Sequence, residues 1–405
     1  MAMNIQNILS ANAKSMRRSA IRDLLSVANR PEVISFAGGF PNPSTFPVED
    51  LKTIMQEVLE VESTSALQYG PTEGNSKLRE LLAERYKSQG LQITKDNILI
   101  TTSSQQAIDL VTKVFIDPGD TIICGLPSYL GALQAFWSYQ AKPIGITKDE
   151  ELEVVVKALM GSGKKPKFVY AIPDFQNPSG ITMTLQQRKD VLAVARKHDL
   201  LIIEDSPYRE LRFDGEEQPL IYSMDNERVI LLGTFSKTFL PGFRLGWVIA
   251  PTNIIEKLIV AKQSTDLCAP VFDQAVTARY LEKGLFDKNL KKTIDLYRTK
   301  RDQMLSCFEK YMPAGVTWTK PEGGLFLFVT LPEGYDATDL FNVAIKENVA
   351  FVIGEAFHCD GSGKNTMRIN FSFMNEEKTE EGVKRLATAI KKMLETAPVP
   401  AATTF

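Results

Sequence analysis

The sequence predicts an α/β protein, with a large domain built on a mostly parallel sheet flanked by helices and a smaller α+β domain after it. Three observations carry this expectation. Short, continuous apolar runs recur between residues 98 and 250, and helical stretches separate them, as in parallel strands buried on both faces. A chain of 405 residues exceeds what one simple core accommodates. Beyond about residue 290 the texture changes to a long charged helix followed by further apolar runs.

In chain order, 98–102 (Ile-Leu-Ile-Thr-Thr) reads as a strand and about 105–115 as a helix. Residues 121–124 form the next strand, followed by a helix from about Leu130. Residues 168–172 are a strand, and a helix over about 185–197 leads into a strand at 200–204. Strands at 229–232 and 245–250 complete this part. The charged helix spans about 288–311, and strands follow at 324–329 and 366–371 with a helix between them. The expected organisation is an N-terminal segment, 1–40, packing at the cleft or small domain, a large domain, 41–290, and a small domain, 291–405. Residues 397–405, with Pro398 and Pro400, read as a frayed end.

Composition excludes several classes. A hydrophobic fraction of 44% and a charged fraction of 24% suit a soluble globular protein. The net charge of -2 gives no bulk attraction to nucleic acid or anionic membranes. No apolar stretch reaches membrane-span length, and the first eighteen residues lack a signal-peptide core, so a cytoplasmic location is expected. The cysteines Cys124, Cys268, Cys307 and Cys359 form no paired motif, so no metal site is expected and reduced thiols are. With only His198 and His358, a histidine-centred site has little material. His198 reads as a solvated helix end, whereas His358 is a candidate to line a cleft.

In a parallel sheet, ligands bind at the carboxyl ends of the strands. After 98–102 come Ser103, Ser104 and Gln105, opening a helix whose free N–H groups make an anion cradle; read alone, either serine is a plain helix cap. After 168–172 comes Asn177, before Pro178, with an amide free for a ligand or merely forming a turn. After 200–204 come Asp205 and Tyr208; a strand-end carboxylate needs a cation partner, or else Asp205 caps the next helix. After 229–232 come Ser236 and Lys237, then Arg244, a guanidinium suited to phosphate or to a surface ion pair. Lysines are normally solvated, and one between a buried strand and a Pro-Gly turn suits Schiff-base chemistry with an aldehyde.

As a set, these residues meet the needs of pyridoxal phosphate, and the sequence resembles the fold-type-I, class I/II aminotransferases over nearly its whole length. The most specific stretch is Ser236-Lys237 followed by Pro241-Gly242-Phe243-Arg244-Leu245-Gly246-Trp247. The resemblance implies a seven-stranded-type sheet and assigns roles. Lys237 holds the cofactor, is displaced by the substrate amine, and carries a proton from Cα to the cofactor. Asp205 pairs with the ring nitrogen, and Asn177 and Tyr208 bond the ring oxygen. Ser103, Ser104, Gln105, Ser236 and Arg244 hold the phosphate, and Tyr129 stacks on the ring. Tyr69 reaches the phosphate from the partner of a homodimer. Arg368, helped by Gly39, clamps the substrate carboxylate, and Asn177 also contacts the substrate.

Within the family, Gln68-Tyr69-Gly70-Pro71-Thr72-Glu73-Gly74 and Phe175-Gln176-Asn177-Pro178-Ser179-Gly180 are most similar to the 2-aminoadipate and kynurenine group. This implies amino-acid donors (2-aminoadipate, glutamate, aromatic or large aliphatic) and a 2-oxo-acid acceptor, 2-oxoglutarate. Arg22 matches a position that meets acidic side chains, and reads equally as a solvated helix arginine. Two points depart from the pattern: Ser103 stands where many relatives have glycine, and Asp174 is a carboxylate near the expected cleft that would disfavour acidic substrates. The alternatives are a β-lyase of the cysteine-conjugate type or an aminocyclopropane-carboxylate-type cyclase on the same fold. A regulator using this fold to bind an effector is disfavoured, because the segment before residue 30 is too short for a winged helix.

Overall fold

The computed structural model describes residues 5–16, 30–147 and 151–395. The first strand among them, β1 (Ile34–Ser35), is short. Seven strands then build the large sheet: β2 (Ile98–Thr102), β3 (Thr121–Gly125), β4 (Lys142–Ile146), β5 (Phe168–Ala171), β6 (Leu201–Asp205), β7 (Val229–Thr234) and β8 (Leu245–Ile249). Their order is β2-β8-β7-β6-β5-β3-β4. Only β8 runs against its neighbours, pairing antiparallel with both β2 and β7. The other pairs are parallel, so the sheet is mostly parallel as the apolar runs require. Every residue of β7 and β8 is buried, which is why these strands read as unbroken apolar runs rather than alternating ones.

Strand β4 is absent from the sequence reading. Its residues, Lys-Pro-Ile-Gly-Ile, include a proline and a glycine, both poor inside a sheet. The strand lies at the sheet edge beside β3, where a missing N–H costs no ladder bond. Helices Val48–Ala66 and Ser76–Ser88, which precede the sheet, also escape that reading.

The smaller sheet comprises β9 (Thr317–Trp318), β10 (Phe326–Thr330), then, after the two-residue β11 (Val349–Ala350), β12 (Val352–Ile353) and β13 (Thr366–Asn370). It is antiparallel, in the order β12-β13-β10-β9, whereas β11 pairs with β1 in parallel. Helix Leu285–Tyr311 starts slightly before its expected point and buries Phe286, Leu290, Tyr297, Met304 and Phe308, one face at helical spacing. It packs against helix Glu376–Leu394.

The N-terminal segment divides in two. Around β1 it joins the smaller sheet: Phe36 N–H donates to Ala350 O at 2.8 Å, and Phe36 O accepts from Asn370 N–H at 2.9 Å. Helix Ala11–Ser15 instead lies on helix Leu130–Ser138, which flanks the large sheet. Residues 34–37 thus join the smaller sheet, whereas 11–15 lie on a helix flanking the large one.

Candidate active site

A cavity of about 390 Å³ opens at the carboxyl ends of β2, β6 and β7. It gathers Gly39, Ser103, Ser104, Gln105, Tyr129, Asn177, Asp205, Tyr208, Ser236, Lys237, Arg244 and Arg368. The reversal of β8 matters here: its amino end meets the carboxyl ends of its neighbours, so Arg244, just before β8, arrives at the same rim. Tyr69 lies elsewhere, 81% exposed, beside a separate cavity lined also by Gly70, Val271 and Gln274. Arg22 falls outside the described residues.

One flank of the cavity is an anion cradle. Helix Ser103–Phe115 begins here, and its cap residue, Thr102, makes no side-chain capping bond. The first N–H groups of the helix are thus available to an anion. Ser103 does not cap; its Oγ accepts from Arg244 Nη2 at 2.5 Å, and Arg244 Nη1 reaches Ser236 Oγ at 3.4 Å. Among the described residues Arg244 forms no surface ion pair. Ser103 has φ of 61°, a left-handed conformation that costs a side-chain-bearing residue about 1–2 kcal/mol and explains why glycine suits this position. Gly246 is needed for the close fit, since a Cβ there would lie 2.6 Å from the backbone of Ser103 and Ser104.

At the centre lies Asp205, the last residue of β6, which is buried rather than capping a helix. Its Oδ2 accepts from the Tyr170 hydroxyl at 2.6 Å, while Oδ1 is buried without a partner. Burial pushes its carboxyl up to about 7, against the pull of the Tyr170 bond. Lys237 Nζ donates to Gly39 O at 2.9 Å and, among the described residues, forms no ion pair. Burial first, then the Arg368 and Arg244 charges, lower its amine to about 8.

The smaller sheet supplies the opposite flank. Arg368 on β13 donates to Asn177 Oδ1 at 2.9 Å and to Ala37 O at 2.8 Å, leaving Nε buried and unpartnered. Its guanidinium lies 4.2 Å from the ring centre of Phe326, on β10, a cation–π contact. Asn177 Nδ2 also reaches the Tyr208 hydroxyl at 3.4 Å. Tyr129 donates to Gln105 Oε1 at 3.2 Å.

Three expectations need correction. Asp174 does not face the cleft: it is buried against Arg188 at 2.7 Å, Arg209 at 3.2 Å and Arg212 at 3.6 Å, and three cations account for its charge. His358 does not line the cavity; its ring stacks on Phe328 and its Nδ1 meets Gly354 O at 2.9 Å. His198 is packed rather than solvated, its side chain only 11% exposed. The sequence reading also missed Tyr170, Thr234 and Phe326. A hydroxyl inside the buried run Phe168–Ala171 was the available signal for Tyr170. Thr234 ends β7, and its Oγ1 accepts from Ser236 N–H at 3.1 Å, setting the turn into Lys237.

This arrangement fits pyridoxal phosphate. The cradle suits its phosphate, the weakly basic amine its aldehyde, and the strand-end carboxylate its ring nitrogen. Asp205 Oδ1 and Arg368 Nε are buried polar atoms that cofactor and substrate would satisfy. Comparison with known proteins agrees. The pattern of the family "Aminotransferase class I and II" matches residues 32–386. The chain is 47% identical to aromatic-amino-acid aminotransferase 1 of Thermococcus litoralis, over 96% of this chain and 95% of that one. It is similar to the structure of a Pyrococcus horikoshii kynurenine aminotransferase in complex with PMP, with a TM-score of 0.94, 46% identity and coverage of 97% and 99%. It also matches an alpha-aminoadipate aminotransferase from Thermus thermophilus complexed with N-(5'-phosphopyridoxyl)-L-leucine, with a TM-score of 0.89, 36% identity and coverage of 97% and 100%. The chain belongs to the class I and II aminotransferases, and is a pyridoxal-phosphate-dependent enzyme that moves an amino group from an amino acid to a 2-oxo acid.

Proposed function

We propose that this aminotransferase takes 2-aminoadipate, glutamate and aromatic or large aliphatic amino acids as donors, with 2-oxoglutarate as acceptor. The observation that carries the reading is the pairing of Arg368, which keeps an unpartnered Nε, with the aromatic wall of Phe326 in one cleft. The guanidinium suits an α-carboxylate and the wall an extended side chain. The names of similar proteins support the same range, covering aromatic, kynurenine and 2-aminoadipate activities.

When bound, the cofactor supplies an electron sink for the substrate's Cα. The residues here do the rest. Lys237 holds the cofactor and, once freed, takes the Cα proton; an amine lowered to about 8 is a competent base near neutral pH. Asp205 holds the ring nitrogen, and Asn177 and Tyr208 the ring oxygen. Tyr129 stacks on the ring. Ser103, Ser104, Gln105, Ser236 and Arg244 hold the phosphate, and Arg368 with Gly39 orients the substrate carboxylate. A three-part organisation, 1–40, 41–290 and 291–405, accords with a cavity lined by Asp205 and Lys237 on one side and by Arg368 and Phe326 on the other.

The working form is a cytoplasmic homodimer in which Tyr69 of each subunit serves the partner's phosphate site. Its 81% exposure in a single chain accords with a residue awaiting a partner surface. No helix among the described residues is long and apolar enough to cross a membrane.

The test is a donor panel against 2-oxoglutarate, scored by kcat/KM. Activity confined to small donors such as alanine would overturn the substrate reading. Repeating the panel with Arg22→Ala separates side-chain recognition from general loss: equal falls for aminoadipate and aromatic donors remove Arg22 from it. For Tyr69, mixing inactive Tyr69→Ala and Lys237→Ala subunits should restore activity if the tyrosine acts across the dimer; no recovery in mixed dimers counts against it.

A further inference from the structure

Tyr170 touches the site from behind. It sits on β5, 1% exposed, with its ring edge-on to Phe136 at 5.5 Å between centres. It is outside the lining of the candidate active site, and among the described residues its hydroxyl makes a single side-chain bond, donated to Asp205 Oδ2 at 2.6 Å. Asp205 therefore has one oxygen engaged from the protein side and one, Oδ1, buried and unengaged.

We propose that Tyr170 is a positioning residue for the cofactor: its hydroxyl fixes the Asp205 side chain and favours the carboxylate as an anion, leaving Oδ1 for the ring nitrogen. The inference rests on the reading of Asp205 given above.

The physical reason is a competition for a proton. Asp205 is buried enough that the unloaded protein keeps it protonated below about pH 7. A neutral carboxyl has to lose its proton before it can pair with a protonated ring. The Tyr170 hydroxyl donates to the charged form and so opposes burial. Without this donor, deprotonation becomes harder and loading weakens wherever Asp205 starts neutral. Where Asp205 starts ionised, the tyrosine bond exists before and after loading and largely cancels. The groups facing Asp205 are Tyr129 and Tyr208, whose hydroxyls feel its charge, and across the cavity Lys237, Arg244 and Arg368. All of these remain in a Tyr170→Phe protein, so the difference between the two proteins isolates the one hydroxyl.

The experiment is a titration of unloaded protein with pyridoxal phosphate between pH 6 and 9, followed by absorbance, for wild type, Tyr170→Phe, Asp205→Asn and the double variant. The expected result is a loss of affinity of about ten-fold for Tyr170→Phe at pH 6, the size of a bond to a charged group, shrinking towards wild type at pH 9. The loss should vanish in the Asp205→Asn background. It should also vanish with a cofactor analogue carrying carbon in place of the ring nitrogen. Equal affinity at all pH values, a loss that does not change with pH, or the same loss in the Asp205→Asn background would overturn the proposal. An Asp205→Asn protein that binds like wild type would instead overturn the reading of Asp205. If Tyr170→Phe does not fold, the analogue decides on wild-type protein: its affinity should lack the fall at low pH attributable to Asp205, and an identical fall refutes the mechanism.

Discussion

Two buried regions of this protein hold the same chemical groups and treat them in opposite ways. Behind the cleft, Asp174 sits among Arg188, Arg209 and Arg212, with a shortest contact of 2.7 Å. In the cleft, among the described residues, Asp205 leaves Oδ1 unengaged, Arg368 leaves Nε unengaged, and Lys237 has only a carbonyl partner. Taking charges out of water is costly, and the first region offsets that cost internally. The second leaves it standing, to be offset by whatever binds. Ion pairing marks the Asp174 cluster, even though Arg209 Nε and Arg212 Nη2 stay without hydrogen-bond partners there, and the lack of ion pairing marks the cavity. Even neighbouring residues on β6 differ: Glu204 accepts two backbone N–H bonds from Ile221 and Tyr222, at 3.0 and 2.8 Å, whereas Asp205 points into the cavity.

The largest effect should separate the regions outright. Lys237→Ala should lower transamination by at least about 10³-fold, the scale of losing a proton-transfer group, and leave the unloaded protein's melting temperature unchanged or higher. A clear drop in melting temperature would make Lys237 structural. Asp174→Ala should do the reverse, costing about 3–5 kcal/mol of stability in denaturant titration by removing the buried carboxylate that pairs with Arg188, Arg209 and Arg212, with kcat per folded molecule retained. Next, Arg368→Lys should lower kcat/KM for amino-acid donors by about 10–100-fold through loss of two-pronged geometry, with little change in cofactor affinity.

The pH dependence of unloaded stability is a finer test. Asp205 is raised from 3.8 to about 7 in the fold, so between those values the folded state binds more protons and stability falls as pH rises. Glu204, raised from 4.5 to about 7, contributes with the same sign. Lys237 is lowered from 10.5 to about 8, so between those values the unfolded state binds more protons and stability rises with pH. Melting curves should therefore show a minimum between about pH 7 and 8, and Asp205→Asn should flatten the acidic side in part. The smallest effect belongs to Ser103→Gly: relief of the positive φ against loss of the Oγ bond to Arg244 should leave stability within about 1 kcal/mol.

The main sheet and most of the site were legible because each is written in short local strings. The fully buried strands β7 and β8 read as unbroken apolar runs, and a polar or charged residue after each strand end points to the rim. What failed was what depends on partners distant in sequence. Strand β4 is a strand only because β3 lies beside it, and its own residues argue otherwise. Asp174 was misplaced towards the cleft because the arginines that enclose it follow 14, 35 and 38 positions later, and nothing in Pro173-Asp174-Phe175 announces them. Tyr170 looked like one more core aromatic, since its strand buries the ring while the hydroxyl alone meets Asp205.

The hairpin between β7 and β8 has a mechanical consequence. Residues 235–244 carry Ser236, Lys237 and Arg244, so the proposed covalent anchor and a proposed phosphate ligand share one short connection between two fully buried strands. The cleft thus has one side on the large sheet and another, bearing Arg368 and Phe326, on the smaller one. On the proposed roles, parting the two sides would free a carboxylate held by Arg368 without loosening the grip on the cofactor. Amino and oxo acids would then come and go through many turnovers while the tool that processes them stays clamped in place.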